Sequence, residues 1–359
     1  MNTTTANVVT NGYIDCDVHN HPAAMRVLLP YMEERWRAFV EHIRYPGPLN
    51  NLYPKVFADA ARRDSYPPSG ALPGSDQGFA AEQLLDTWGL RYAILNPIYT
   101  QSMVRNLYLA NELMRAVNRW TAAEWLDADP RWRDSIVVNI EDPEASAEEI
   151  AAVAQDGRFV QVLLLVRSPE PYGRKKFRPI FRAATDAGLP VGIHFGGGGG
   201  PITAAGWPSY YIEYHSTMTQ AFEAQVISLV CEGLFEDVAG CRATVVEGGF
   251  AWLPALMWRL DKNYRGLRQE VPWLKRLPSE YIRTHFRCTT QPMEEPDDPQ
   301  QLLQIIDMIG CDEFLMFATD YPHWDFDAPN RAIPAIVPER MRHGIVADNA
   351  SAWYDFERP

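Results

Sequence analysis

The sequence lacks the features that mark several protein classes. Its 359 residues include only five cysteines, none of them in a Cys-x-x-Cys pair, so neither a disulfide framework nor a zinc ribbon is expected. Basic residues are scarce, with 33 Lys and Arg against 46 Asp and Glu, which gives a formal net charge of −13. Such a surface repels phosphate backbones and anionic lipid heads, which argues against nucleic-acid and membrane partners. Apolar runs such as residues 160–166 are too short to cross a bilayer.

Recognisable targeting and nucleophile motifs are also missing. The N-terminal segment MNTTTANVVTNG has neither a basic region nor an apolar core, so we expect no signal peptide and a cytoplasmic protein. Gly-x-Ser-x-Gly and His-Glu-x-x-His do not occur, which argues against serine hydrolases and zincins. The glycine run 196–200 does not complete a phosphate-binding motif because Pro201 follows it. We interpret this run as a loop that lets backbone approach substrate or metal.

Short apolar, β-branched segments recur along the whole chain, separated by segments of helical composition. They lie at residues 13–18, 92–95, 135–138, 159–166, 190–193, 243–246, 285–288 and 314–317. Eight strands alternating with helices predict an α/β fold, a (β/α)8 TIM barrel; an open doubly wound sheet shares the same alternation. We predict one domain over residues 1–359, in which residues 28–85 form an insertion after strand 1 that covers the barrel mouth.

Polar residues follow several of these strands, where a barrel of this type carries its active site. His19 and His21 are two residues apart after the first strand, so a continued strand would point both side chains to one face. His194 and Asp320 follow later strands. Taken singly, the two histidines could be ordinary polar residues leaving a strand, and Asp320 a helix cap. Together they predict a His₃Asp metal site with positions left for water or substrate.

This set resembles the amidohydrolase superfamily, and most closely the branch that contains aminocarboxymuconate-semialdehyde decarboxylase and γ-resorcylate decarboxylase. Similar strings occur at residues 247–254, 278–282 and 318–323, and the resemblance runs from about residue 13 to residue 350. It implies a (β/α)8 barrel, commonly a homodimer, with one divalent ion. The implied ligands are His19, His21, His194 and Asp320. We expect Zn²⁺, with Mn²⁺ as the alternative, because this ligand set suits several ions.

The chain departs from those decarboxylases at Glu247, where their sixth strand ends in a His-Gly-Gly string. A carboxylate can also shuttle protons or bind the metal when its surroundings adjust its pKa. The alternative is a structural role, in which Glu247 pairs with Arg259 or a loop amide. His215 could supply the missing imidazole, or be a surface histidine. We predict catalytic roles for Glu247, Asp320 and His215.

Four further residues are predicted to bind substrate. Arg167 would restore the positive charge that an ionised Glu247 removes from the site. His323 would contact substrate or hold a ligand in place. Trp324 would form a wall of an aromatic pocket, and Asn96 follows the second strand.

The leading functional hypothesis is nonoxidative decarboxylation of a small aromatic or unsaturated carboxylic acid. The metal would chelate the carboxylate and a neighbouring oxygen as a Lewis acid. An alternative keeps the metal but hydrolyses an amide, lactone or ester with metal-activated water. A second alternative, from a different class, is a non-catalytic binding protein on the same barrel. In each case the partner is a small molecule.

Overall fold

Eight parallel strands form the centre of the molecule. The computed structural model describes residues 12–48, 60–99, 101–198 and 203–356, so residues 199–202 of the glycine-rich segment lie outside the described part. The strands follow one another round the sheet in chain order. They are β1 (Tyr13–Val18), β2 (Leu90–Leu95), β3 (Trp132–Val137), β4 (Phe159–Arg167), β5 (Val191–Gly197), β6 (Ala243–Val246), β7 (Phe286–Thr289) and β8 (Leu315–Met316).

The sheet closes on itself between β8 and β1. The amide of Cys16 donates to the carbonyl of Phe317 at 3.0 Å, and the amide of His19 donates to the carbonyl of Tyr321 at 2.7 Å. Val18 and Tyr321 also form a parallel bridge. An open doubly wound sheet would leave β1 and β8 as edges, so these bonds confirm the predicted TIM-barrel fold.

Helices surround the barrel and connect successive strands. They are α1 (Met25–Leu28), α2 (Glu34–His42), α3 (Gln77–Ala80), α4 (Leu107–Thr121), α5 (Pro143–Val153), α6 (Arg178–Asp186), α7 (Tyr211–Thr217), α8 (Thr219–Cys231), α9 (Leu234–Asp237), α10 (Leu253–Leu267), α11 (Pro278–His285), α12 (Pro299–Ile309), α13 (Glu339–His343) and α14 (Asn349–Tyr354). Within the described ranges, we find no helix with the length and apolar character that a bilayer crossing requires.

Local sequence explains where these elements begin and how the strands are filled. Side chains of Asn106 and Asp142 accept hydrogen bonds from backbone amides in the first turns of α4 and α5. β4 and β6 are nearly continuous apolar runs because both of their faces are covered, one by the barrel interior and one by helices. A separate cluster of buried apolar residues lies at the end of the barrel where the strands begin. It joins Trp353 and Tyr354 of α14 to Ile14 of β1.

Part of the predicted insertion lies against the segments that follow β1 and β8. The amide of Arg62 donates to the carbonyl of Pro322 at 2.9 Å, and the amide of Trp324 donates to that of Ala60 at 2.8 Å. The amide of His21 donates to the carbonyl of Gly74 at 2.8 Å. Residues 60–74 therefore lie next to the carboxyl ends of β1 and β8, where the candidate site is built.

Gly74 allows the segment of residues 60–74 to approach β1 closely. Its φ is +70°, and a Cβ atom there would lie 2.5 Å from the carbonyl oxygen of His19. Gly70 has a similar φ of +76° but open space around the same position. We expect Gly70→Ala to lower the free energy of unfolding by about 1–2 kcal/mol through its backbone conformation alone. Gly74→Ala should cost roughly 1–3 kcal/mol more because of the clash.

Chemical denaturation of both variants measures this difference. Equal losses for Gly70→Ala and Gly74→Ala would show that the segment of residues 60–74 does not depend on the close approach at Gly74.

Candidate metal centre

Carboxylates and imidazoles converge at the carboxyl ends of the strands. Asp17 and His19 come from the end of β1, His194 from β5, and Glu247 directly follows β6. One ligand atom from each of these four residues lies within 4.8 Å of all the others. An overlapping group satisfies the same limit and consists of His19, Glu247, Asp320 and His323. Asp17, His19, His194 and Asp320 have no solvent exposure, and Glu247 is 5% exposed.

The two central histidines present lone pairs to carboxylate oxygens. Nδ1 of His19 lies 2.8 Å from the carbonyl oxygen of Asn96, and Nδ1 of His194 lies 2.7 Å from its neighbour's carbonyl. A carbonyl only accepts, so Nδ1 carries the proton of each neutral ring and Nε2 keeps its lone pair. Nε2 of His19 nevertheless lies 2.9 Å from Oδ1 of Asp320. Nε2 of His194 lies 3.1 Å from Oδ1 of Asp17.

Two acceptors at such distances need a cation or an extra proton between them. Metal-bound histidines in proteins characteristically donate their other ring nitrogen to a carbonyl or carboxylate, as both rings do here. The buried cluster of histidines and carboxylates therefore fits a divalent metal site.

Electrostatics in the cluster also favour a cation. Burial raises the pKa of Glu247 well above its usual range, and the charges of Asp320 and Asp17 raise it further. Burial likewise raises the pKa of Asp320, with added repulsion from Asp325. For Asp17, burial opposes ionisation, but His194 and His19 together lower its pKa to about 2. A divalent ion would offset the repulsion among these carboxylates.

The backbone is strained at two of the clustered carboxylates. Glu247 and Asp320 have φ values of 56° and 60°, in the left-handed region that residues other than glycine rarely adopt. Such conformations cost about 1–3 kcal/mol and persist where the surroundings impose them, most often at functional sites. Here the amide of Glu247 donates to Oγ1 of Thr289 at 3.0 Å, and the amide of Asp320 to the carbonyl of Asp17 at 3.0 Å.

The predicted metal set and the observed cluster differ at one position. His19 and His194 belong to one group and His19 and Asp320 to the other, whereas His21 belongs to none of the groups of metal-ligand spacing in the described residues, and Asp17, which was not predicted, belongs to the first. The reason is that β1 ends at Val18. The two-residue alternation therefore relates Asp17 to His19 within and just beyond the strand, while His21 already follows the turn toward Gly74.

The other predicted catalytic and aromatic residues form a second group beside Glu247. Nε2 of His215 lies 3.3 Å from Oδ2 of Asp325, and both residues have ligand atoms within 4.8 Å of Glu247. Trp324 is 42% exposed, and its ring lies 5.7 Å from that of His215. Nδ1 of His323 lies 2.6 Å from Oδ1 of Asp320. These contacts extend the cluster from the buried carboxylates toward solvent.

Arg167 and Asn96 lie at different depths. Arg167 ends β4, donates to the carbonyl of Gly197 at 3.0 Å, and has its guanidinium carbon 5.7 Å from the centre of the Trp207 ring. Asn96 was predicted to bind substrate, but it is fully buried and its amide nitrogen donates to Oδ1 of Asp17 at 2.8 Å. Asn96 therefore donates a hydrogen bond to a carboxylate of the cluster from within the barrel interior.

Sequence reasoning missed Asp17 and Asp325 as members of the site. For Asp17 the signal was the alternation of residues 15, 17 and 19, in which acids and a histidine share one face of a strand. Asp325 follows a Tyr-Pro-His-Trp string, and nothing in its spacing indicates the contact with His215. The predicted alternative pairing of Glu247 with Arg259 is not seen among the described ion pairs, and Arg259 is exposed on α10.

Comparison with known proteins places this barrel and its polar cluster in a family. The Amidohydrolase model (Amidohydro_2) matches residues 16–356. The chain therefore belongs to this amidohydrolase family, as the resemblance predicted. It is 24% identical to the γ-resorcylate decarboxylase of Rhodococcus jostii (strain RHA1) over 356 residues, which covers 89% of this chain and 98% of that protein.

Two solved structures share the fold. The 5-carboxyvanillate decarboxylase of Sphingomonas paucimobilis has a TM-score of 0.70 at 21% identity, covering 96% of this chain and 99% of that one. The 5-carboxyvanillate decarboxylase of Novosphingobium aromaticivorans DSM 12444 has a TM-score of 0.71 at 18% identity, covering 97% of each chain. The latter was crystallised with manganese and 4-hydroxy-3-methoxy-5-nitrobenzoic acid.

Proposed function

We propose that this chain is a divalent-metal-dependent, nonoxidative decarboxylase of a small aromatic or unsaturated carboxylic acid. The observation that carries the proposal is the pair of buried imidazoles whose Nε2 lone pairs face carboxylate oxygens. The family and its decarboxylase relatives support the choice of reaction. Asp17, His19, His194 and Asp320 belong to two overlapping groups that share His19 and Glu247, and we propose that they hold one ion, either Zn²⁺ or the Mn²⁺ found with a structural neighbour. When bound, the ion supplies a Lewis acid for the substrate carboxylate and a neighbouring oxygen.

The residues of the chain would manage the proton that decarboxylation consumes. As the bond to the carboxylate breaks, its electron pair stays on the substrate carbon, carbon dioxide leaves, and the carbon takes up one proton. Glu247 borders the proposed ligands and also lies next to the pair formed by His215 and Asp325. His215 is only partly buried, so it can collect a proton from solvent while Asp325 orients its ring. Glu247 would deliver the proton to carbon.

Substrate recognition would use the residues that border this route. Arg167, at the end of β4, would attract an anionic group to a protein whose net charge is otherwise −13. Trp324 lies beside His215 and would contact an aromatic ring, while His323 would hold the carboxylate of Asp320. We further propose that the enzyme is a homodimer, as its resemblance to the family implies, and that it is a cytoplasmic protein.

One observation favours hydrolysis of a neutral amide, lactone or ester as the second candidate. Three carboxylates, those of Asp17, Glu247 and Asp320, belong to the two overlapping groups that contain the central imidazoles. If all three are ionised, a divalent ion leaves the site with a charge of −1. That charge repels anionic substrates and does not repel neutral ones. Glu247 would then accept a proton from the attacking water.

A parallel substrate screen distinguishes these functions. Protein loaded with Zn²⁺ or Mn²⁺ is tested for carbon dioxide release from hydroxybenzoic and unsaturated acids, and for hydrolysis of neutral amides, lactones and esters. We expect carbon dioxide release that depends on metal, is lost in His194→Asn, and persists in a control, His42→Asn, on the exposed face of α2. Turnover of the neutral compounds alone would support the hydrolase instead. A protein that binds no metal and turns over neither panel would support the non-catalytic binding protein.

A further inference from the structure

A chain of polar side chains occupies the barrel interior behind the candidate metal centre. Nε2 of Gln161, on β4, donates to Oδ1 of Asn96 at 3.0 Å and to Oγ of Ser135 at 2.9 Å. The hydroxyl of Ser135 also donates to Oδ1 of Asn96, at 2.6 Å. Nδ2 of Asn96 then donates to Oδ1 of Asp17 at 2.8 Å. All four residues have no solvent exposure, so these bonds form in a medium where each is strengthened.

The same series of hydrogen-bonded side chains reaches the C-terminal helix at the opposite end of the barrel. The hydroxyl of Tyr354, on α14, donates to Oε1 of Gln161 at 3.1 Å. The donors therefore point one way throughout, from Tyr354 to Gln161, from Gln161 to Asn96, and from Asn96 to the carboxylate of Asp17. Bonds aligned in this way polarise one another, and here they end on a negative charge.

The neighbouring strand leaves room for the central amide of the chain. Gly192 lies between buried Val191 and Ile193 on β5. A Cβ atom at Gly192 would lie 2.7 Å from Cδ and Oε1 of Gln161, closer than such atoms approach. A glycine at this position of a buried strand sacrifices apolar packing. A larger residue at this position would force the amide of Gln161 to move from its present orientation.

Asn96 connects the chain to two proposed ligands. Its side chain donates to Asp17, and its backbone carbonyl accepts from Nδ1 of His19. We infer that Gln161 and Tyr354 are positioning residues that act through Asn96 to set the metal-binding geometry of Asp17 and His19, so that docking of α14 and metal binding are coupled. This inference rests on the metal centre proposed above. Coupling of this kind is reciprocal, so the bound metal should in turn stabilise α14.

The test compares metal affinity in matched variants. Gln161→Met keeps the volume of the side chain but removes its amide, and Tyr354→Phe removes only the hydroxyl. The control is Tyr172→Phe, which removes a buried hydroxyl. That hydroxyl donates to the carbonyl of Leu165 and is not part of the series of hydrogen bonds from Tyr354 to Asp17. Dissociation constants for Mn²⁺ and Co²⁺ are measured by chelator competition on full-length protein, together with the free energy of unfolding of each metal-free variant.

We expect Gln161→Met to weaken metal binding by roughly 10-fold, the low end of the range for loss of a direct partner of a metal ligand, because Gln161 acts through Asn96. Tyr354→Phe should shift affinity in the same direction by less, and Tyr172→Phe should leave it unchanged. In hydrogen exchange, metal should slow the amides of residues 349–356 in the wild type and not in Gln161→Met.

The possible failures are distinguishable. Wild-type affinity in both Gln161→Met and Tyr354→Phe would overturn the positioning role and leave the metal centre intact. Losses of stability in these variants that match the control, with unchanged metal affinity, would mean that the hydrogen-bonded side chains only support the fold. A wild-type protein that binds neither ion would overturn the metal centre and this inference with it.

Discussion

Asp17→Asn should remove both the metal and the activity of this protein. The substitution replaces one oxygen of the buried carboxylate with an amide nitrogen and removes the negative charge, while the side chain keeps its shape. The oxygen that remains can still accept the hydrogen bond from Asn96. Because the ion contributes several kcal/mol of transition-state stabilisation, carbon dioxide release should fall by at least about 10³-fold. Metal analysis of the purified variant, beside a kinetic assay, checks both effects.

Asp307→Asn provides the matched control for this prediction. Asp307 is an exposed aspartate on α12, so the same chemical change there should leave metal content and activity at wild-type values. Full metal content and activity in Asp17→Asn would remove Asp17 from the proposed ligand set. The same experiment on His21→Asn should show wild-type metal content, since His21 lies outside the cluster.

Glu247→Gln should leave the metal in place and slow the reaction. The glutamine keeps the size of the side chain but can no longer release a proton to the substrate carbon. Loss of a positioned general acid costs about 10²- to 10⁴-fold in rate, so we expect carbon dioxide release to fall within that range. The measurement is kcat for decarboxylation, with metal content determined on the same samples.

The control for this second prediction is Glu148→Gln, an exposed position on α5 that should have no effect. Two results would contradict a proton-carrying role for Glu247. Loss of metal in Glu247→Gln would make it a ligand, and unchanged kcat would make it structural.

Much of the fold could be predicted because buried parallel strands are apolar on both faces. The segments at residues 159–166 and 243–246 overlap β4 and β6 almost fully. β8 is shorter than predicted, Leu315–Met316, and the amide of the next residue, Phe317, donates to the carbonyl of Ile345 outside the sheet. Position at strand ends also led to His19, His194, Glu247 and Asp320, which the structure places in two overlapping groups that share His19 and Glu247.

The remaining site residues depend on contacts that local sequence does not encode. A strand residue such as Asp17 resembles any buried polar side chain until the end of β1 at Val18 is known. The nearness of Asp325 to His215 arises from a loop after β8 meeting α7, more than a hundred residues earlier in the chain. The position of Asn96 directly after β2 predicts a side chain at the barrel mouth, yet that side chain points inward and donates to Asp17.

Anomalous diffraction from crystals grown with Mn²⁺ tests the central claim most directly. The account predicts a single strong manganese peak enclosed by Asp17, His19, His194 and Asp320 at the carboxyl ends of β1, β5 and β8. Absence of a peak among these residues, or a peak coordinated by His21 in place of Asp17, would contradict it.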